Sequence, residues 1–294
     1  MKIYDCFQFF DENMLLDLRL NILDQYVDKF VIVENSFMHS GKKKSLNFDA
    51  KKFKKFEKKI NYIVIENLPD TLFDISKQPQ EERGNRIIDN TLMIEHNQRN
   101  SIVKGIEDAD QNDLILISDV DEIPNLKNIE LEIKKKLIFF KQQMYYYKFN
   151  LKYSSKNWIG TKGCLKKNLQ SPQWIRDVKD RKYPYWRLDT LFSNKKYQSI
   201  QFIENGGWHF TNIKTPKELE VKFKNFGHNW EFNNSGINLQ DIENMVKNNI
   251  ALYDYQADMR ESKWSGSKKL SLVEDNELPE YIISNKHKLS QWFQ

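Results

Sequence analysis

The stretch Asp113–Pro124, "DLILISDVDEIP", decides how the chain is read. Leu114 to Ser118 form an apolar run of strand length, as expected for a buried strand of a covered sheet. Three carboxylates then fall within four positions, Asp119, Asp121 and Glu122, and the run closes on Pro124. In an open parallel α/β sheet, ligands bind outside the carboxyl ends of the strands, so charge at this end marks a site. Asp119 and Asp121, two positions apart across a turn, can aim oxygens at one point. Two hard oxygen ligands with open positions suit Mg²⁺ or Mn²⁺ carrying a ligand's phosphates.

Three other readings compete. Asp119 and Asp121 could cap a helix starting near Asn125 with Pro124 in its first turn, although a cap needs one acid and not three. An EF-hand loop requires further oxygen ligands and a Gly where Pro124 stands. A haloacid-dehalogenase-type phosphohydrolase also has a strand followed by Asp-x-Asp, with Asp119 as nucleophile. That motif comes early in its domain, whereas here it arrives after three strands.

The rest of the chain extends the strand-and-helix pattern. "KIYDCFQFF" is a first strand, "ENMLLDLRLNILDQY" a helix with Met14, Leu15, Leu18, Ile22 and Leu23 on one stripe, and "KFVIVEN" and "NYIVIE" are further strands. Helices are expected over Ala50–Lys59 and roughly Glu81–Glu107. Strands alternating with helices imply a mainly parallel sheet. After Pro124 the spacing predicts a short helix to Lys136, then antiparallel strands and long loops rich in Trp, Tyr and Arg to about Trp208. From Pro216 onward the periodicity is helical, with Thr215 and Asn238 as N-caps. The expected organisation is one domain over 1–294 in three parts, 1–124, 125–230 and a C-terminal helical extension (231–294).

Composition narrows the class. The 294 residues are 39% hydrophobic and 13% aromatic, enough for a sizeable core. The net charge of +5 comes from lysine-dense pieces such as "KKFKKFEKK", where Phe53, Phe56 and Ile60 at helical spacing point to a wet helix face and not to a nucleic-acid patch. Cys6 and Cys164 form neither a disulfide framework nor a zinc pattern. No apolar run reaches the roughly 18 residues of a membrane span.

Four pieces in order, "LLDLRLNILDQYVDKFVIVENSFMHSG" (15–41), "QRNSIVKGI" (98–106), "ISDVDEIP" (117–124) and "GGWHFTN" (206–212), make the chain resemble glycosyltransferase family 17 in its bacterial and viral branch. That family includes the β-1,4-mannosyl-glycoprotein 4-β-N-acetylglucosaminyltransferase. The resemblance implies an α/β, GT-A-like (Rossmann-like) fold and metal-dependent, inverting transfer of GlcNAc from UDP-GlcNAc to a glycan acceptor. Asp119, Asp121 and His209 become ligands of Mn²⁺ or Mg²⁺. Glu34, Asn35, Ser36, Arg99, Asp119 and Trp208 border the nucleotide sugar, Arg99 pairing with a phosphate or with Glu122, and Gly41 lets its loop turn sharply. His228 points to the bacterial branch.

Single displacement needs a general base, for which Asp189, Glu204 and Glu122 are the candidates. Trp158, Trp174, Trp186 and Trp208 form the pool from which a sugar platform would come. A non-catalytic carbohydrate-binding protein is the remaining alternative. A first strand beginning at residue 3 leaves no room for an anchor or stem, so the expectation is a cytoplasmic enzyme of a bacterium or virus-infected cell. The acceptor would then be a surface polysaccharide, lipopolysaccharide or glycoprotein glycan, with peripheral membrane contact and oligomeric state left open.

Overall fold

A computed structural model of the protein describes residues 1–127, 133–180, 184, 186–188, 192–196, 198–225, 229–255, 263–264, 266 and 268–294. The strands expected from periodicity form where alternation put them: β1 (Ile3–Phe9), β2 (Lys29–Asn35), β3 (Ile60–Ile65) and β4 (Leu114–Asp119), with α1 (Asn13–Leu23) and α2 (Gln80–Asn100) between them. They pair in parallel in the order β3-β2-β1-β4. The chain therefore leaves β1 in one direction to build β2 and β3, then returns to place β4 on the other side of β1. This reversal makes the β1/β4 boundary the switch point, where a crevice opens at the carboxyl ends.

Alternation along β4 explains why every side chain of the run is apolar. Leu114 and Leu116 enter a core with Leu16 and Leu20 of α1, while Ile115 and Ile117 enter one with Ile102, Ile106 and Ile175. Beyond β4 the sheet turns mixed. β7 (Leu151–Leu165) pairs antiparallel with β4 and with β6 (Leu137–Tyr146), and β6 pairs parallel with β8 (Ile200–Ile203) and β9 (Gly207–Thr211). β5 (Glu122–Pro124) closes antiparallel on β9. Pro124 thus ends a strand and does not open a helix; the helix expected to run on to Lys136 falls partly outside the described residues.

The Ala50–Lys59 helix does not form. That segment is turns around a single 3₁₀ turn at Lys54–Phe56, which still buries Phe53 and Phe56. Six lysines at close spacing repel one another at i,i+3 and i,i+4, and a segment this short bears the full cost of helix nucleation. The long helix is α2, followed by a 3₁₀ turn at Ser101–Gly105. α3 (Pro172–Asp177) lies against α2 and β4. α4 (Pro216–Asn225), α5 (Asn229–Asn234) and α6 (Leu239–Lys247) cover a third core with Leu219, Phe232 and Ile242. The backbone N–H of Glu218 donates to Thr215, and Asn238 forms a full capping box with Asp241. The C-terminal segment is not helices alone: β10 (Ser271–Leu272) joins β7, and α7 (Glu280–Ser284) packs on α1.

Candidate active site

Residues Asp119–Glu122 leave β4 at the switch point, and the turn is fixed by pairing across the sheet. Glu122 stands opposite His209, Ile123 opposite Trp208 and Pro124 opposite Gly207. Gly207 has φ +126°, and a Cβ there would lie 2.2 Å from the Ile123 carbonyl oxygen, so only glycine admits this close approach. The "GGWHFTN" motif is thus the strand that holds the acidic turn in place. Alternation aims His209 at the acids and Trp208 at the opposite face, where its indole N–H donates to the Glu277 carbonyl.

The three carboxylates are graded in exposure: Asp119 is 41% exposed, Asp121 18% and Glu122 1%. Glu122 is saturated. Its Oε1 accepts from Trp158 Nε1 (2.6 Å) and Arg176 Nη2 (3.0 Å), and its Oε2 from Arg176 Nη1 (2.8 Å) and the Asp119 backbone N–H (2.8 Å). Four donors occupy the four acceptor sites of the carboxylate. Asp119 takes Arg99 on one oxygen (3.2 Å) and Arg176 on the other (3.1 Å). Burial opposes its charge, but the Arg176 and Arg99 guanidiniums outweigh burial and hold its pKa far below the ordinary carboxylate range.

Asp121 carries the lightest load. Its Oδ2 lies 3.5 Å from His209 Nε2. Burial raises its pKa, and the His209 and Lys222 charges more than offset that, leaving it lowered. For His209 burial works against the proton, and the Asp121 carboxylate overcomes it, so the pKa is raised. The other ring nitrogen, Nδ1, is buried without a hydrogen-bond partner, and the Trp158 ring lies 5.0 Å away at 32°.

Asp119 and Asp121 open into a cleft of about 290 Å³. Its walls come from the end of β1 (Gln8) and the turn that follows it (Phe10, Glu12), from His39, Glu95 and Gln98, and from Asn212, Lys222 and Tyr255. Asn212 sits in the left-handed region (φ +57°) and accepts from Lys222 Nζ at 2.9 Å. The family model of glycosyltransferase family 17 matches residues 1–291, nearly the whole chain. The chain belongs to glycosyltransferase family 17. No curated protein gives a significant match to it. Membership makes this protein a glycosyltransferase, of N-acetylglucosaminyltransferase-like type, and neither a phosphohydrolase nor a mere binder of carbohydrate. No helix among the described residues is long and apolar enough to cross a membrane.

Within this glycosyltransferase the expected residues divide. Asp119, Asp121 and His209 come together. Arg99 adjoins them but serves Glu95 (2.7 Å) and Asp119, with Glu122 taken by Arg176 in its place. Glu34 is fully buried and binds Lys44 Nζ, the Asn47 and Phe48 amides and the Tyr62 hydroxyl, so it fastens the loop after β2. Asn35 caps Phe37, and Ser36 donates to the Ile65 carbonyl; among the described lining residues none of the three borders the cleft. That loop reaches the cleft through His39, two residues before it turns at Gly41 (φ +83°).

Trp208 faces away. Glu204 is 67% exposed and paired with Lys141, off the cleft. Glu122 has no acceptor site left for an acceptor proton. Asp189 and His228 lie outside the described residues. Trp158 joins the site through Glu122 and His209, whereas Trp174 is core and Trp186 is exposed. Sequence reasoning passed over Glu12, Arg176 and Lys222. Glu12 had a readable signal, being an acid just past β1, the other strand of the switch point.

Proposed function

We propose that this protein is a GT-A-like, metal-dependent, inverting glycosyltransferase that moves GlcNAc from UDP-GlcNAc to a glycan acceptor. The observation that carries the reading is the pair Asp119 and Asp121 at the switch-point crevice, with His209 3.5 Å from Asp121. The donor chemistry fits a divalent cation: carboxylate oxygens beside an imidazole whose second nitrogen has no protein partner. Among the described residues no three His, Cys, Asp or Glu side chains already converge on one point. Asp121 and His209, with Asp119 beside them, would hold the cation, and diphosphate oxygens and water would complete its shell. When bound, it supplies countercharge to the departing diphosphate.

The chain's own residues supply the rest. Lys222 adds positive charge to the cleft wall that faces Asp121 and Glu12. Arg176 and Arg99 fix Asp119 so that its carboxylate needs no reorganisation when the donor arrives. Glu12 takes the acceptor hydroxyl's proton. It lines the cleft, and burial, followed by Asp11, raises its pKa from 4.5, which makes it a stronger base than an ordinary glutamate.

Titration calorimetry with UDP, with and without Mn²⁺, tests the reading, followed by a transfer screen over nucleotide sugars. Metal-dependent UDP binding that vanishes in Asp121→Ala is expected. Metal-independent binding, or a donor preference other than UDP-GlcNAc, would overturn the corresponding part.

A further inference from the structure

Arg19 has no place in the cleft, yet its hydrogen bonds converge on the turn that carries the acids. It sits on α1 among Leu15, Leu16, Leu18, Leu20 and Leu23 and is fully buried, with its guanidinium 4.4 Å from the centre of the Phe7 ring. A buried arginine must be paired, and Asp5 of β1 pairs it in bidentate fashion, Nε to Oδ2 at 2.7 Å and Nη2 to Oδ1 at 2.5 Å. Those two bonds use two of its five N–H donors, and the other three must find acceptors inside the core.

The remaining donors all go to one short segment. Nη2 donates to Ser118 Oγ (2.6 Å), and Nη1 donates to the carbonyls of Asp119 (2.9 Å), Val120 (3.2 Å) and Glu122 (2.8 Å). The intervening carbonyl, of Asp121, accepts from the Phe210 amide of β9. Every carbonyl from Asp119 to Glu122 is therefore held from the core side, while the Asp119 and Asp121 carboxylates open to the cleft.

We infer that Arg19, set by Asp5, is a positioning residue that fixes the backbone of the Asp-Val-Asp turn and so the aim of its two carboxylates. The role suits arginine, since Nε and Nη2 hold Asp5 and Ser118 while Nη1 meets the three carbonyls, whereas a lysine ammonium has three donors on one atom and cannot reach both sides at once. The functional part of this inference rests on the proposed use of Asp119 and Asp121 toward a cation and diphosphate.

The test uses the full chain. Asp5→Leu with Arg19→Met removes both charges together, a replacement that buried ion pairs tolerate, and Arg19→Lys keeps the charge opposite Asp5 but loses the fork. Two readouts are taken: hydrogen exchange of the 119–122 amides without metal, and UDP affinity with Mn²⁺. In both variants we expect exchange at 119–122 to rise about tenfold or more with the β1–β3 amides little changed. UDP affinity should fall by roughly tenfold to a hundredfold, as misplaced ligands imply.

Unchanged exchange at 119–122, exchange raised uniformly through the sheet, or failure of both variants to fold would each reduce Arg19 to a core ion pair and overturn the inference. If the wild type binds no UDP in the presence of Mn²⁺, the functional reading fails instead. The exchange pattern then still decides on Arg19.

Discussion

Asp121 and Glu122 are adjacent carboxylates with opposite fates. Glu122, 1% exposed, has four donors on its two oxygens, whereas Asp121 has a histidine at 3.5 Å and an open side on the cleft. The difference comes from strand geometry. A residue at the start of β5 is drawn into the sheet to meet Arg176 and Trp158, and its neighbour in the turn is left outside. A saturated acid holds a structure together; one with spare acceptor capacity can meet a ligand.

Four measurements would break or sharpen that contrast. The largest effect is expected for Glu122→Ala, which leaves Arg176 with Asp119 as its carboxylate partner and takes the acceptor from Trp158 Nε1 and from the Asp119 amide. Denaturant unfolding should show a loss of about 3–5 kcal/mol, and transfer should fall as well because Asp119 loses its fixed neighbour. A variant as stable as the wild type would contradict the saturated role. Asp121→Ala should do the reverse, lowering the transfer rate by roughly 10³-fold or more while its melting loss stays well below that of Glu122→Ala. A large melting loss with turnover retained would erase the contrast between the two acids.

Glu12→Gln comes next. As a lost base it should cost kcat on the order of 10² to 10⁴ and leave UDP affinity unchanged. The wild-type rate should fall on acidification through an apparent pKa above 4.5, since Glu12's is raised, and the variant should lack that limb. An identical acid limb in both proteins would remove Glu12 from the reaction.

A further effect lies behind Glu122. Lys162 is buried and donates to the carbonyls of Arg176 and Val178, and burial, helped by the Arg176 charge, lowers its pKa from 10.5 to about 7. Below pH 7 it is charged in both folded and unfolded states, and its burial cost is present in full. Between about 7 and 10.5 the unfolded chain binds more protons, so stability from this group rises with pH. Unfolding curves of Lys162→Met against wild type should show the wild type gaining over that window; parallel pH profiles would contradict it.

The parts legible in the sequence were local. β1 to β4, α1 and the Asn238 cap depend on side chains a few positions apart, and period alone reveals them. The turn of Asp119 and Asp121 was legible because position at a strand end carries meaning of its own. Arg176 was not, because it reaches Glu122 only through α3, 54 positions away, and no local pattern marks it. Trp208 and His209 stand together in one motif, but their opposite faces depend on the parallel register of β9 with β6. The Ala50–Lys59 segment failed for a different reason: apolar spacing was right, and charge density and length were wrong for a helix.

The place of β1 in the middle of the sheet has a kinetic consequence. Its partner β2 follows soon after in the chain, but its other partner β4 closes across 111 residues, as the bond from the Lys2 amide to Asp113 shows. Parallel pairing over such a span is slow, because loop-closure entropy must be met before any contact compensates it. The acidic turn, Arg19's carbonyl partners and the β9 brace exist together only after that closure. In refolding, helical signal should therefore return before UDP-binding competence, with a measurable lag between them; simultaneous recovery would show that β1 and β4 find each other early.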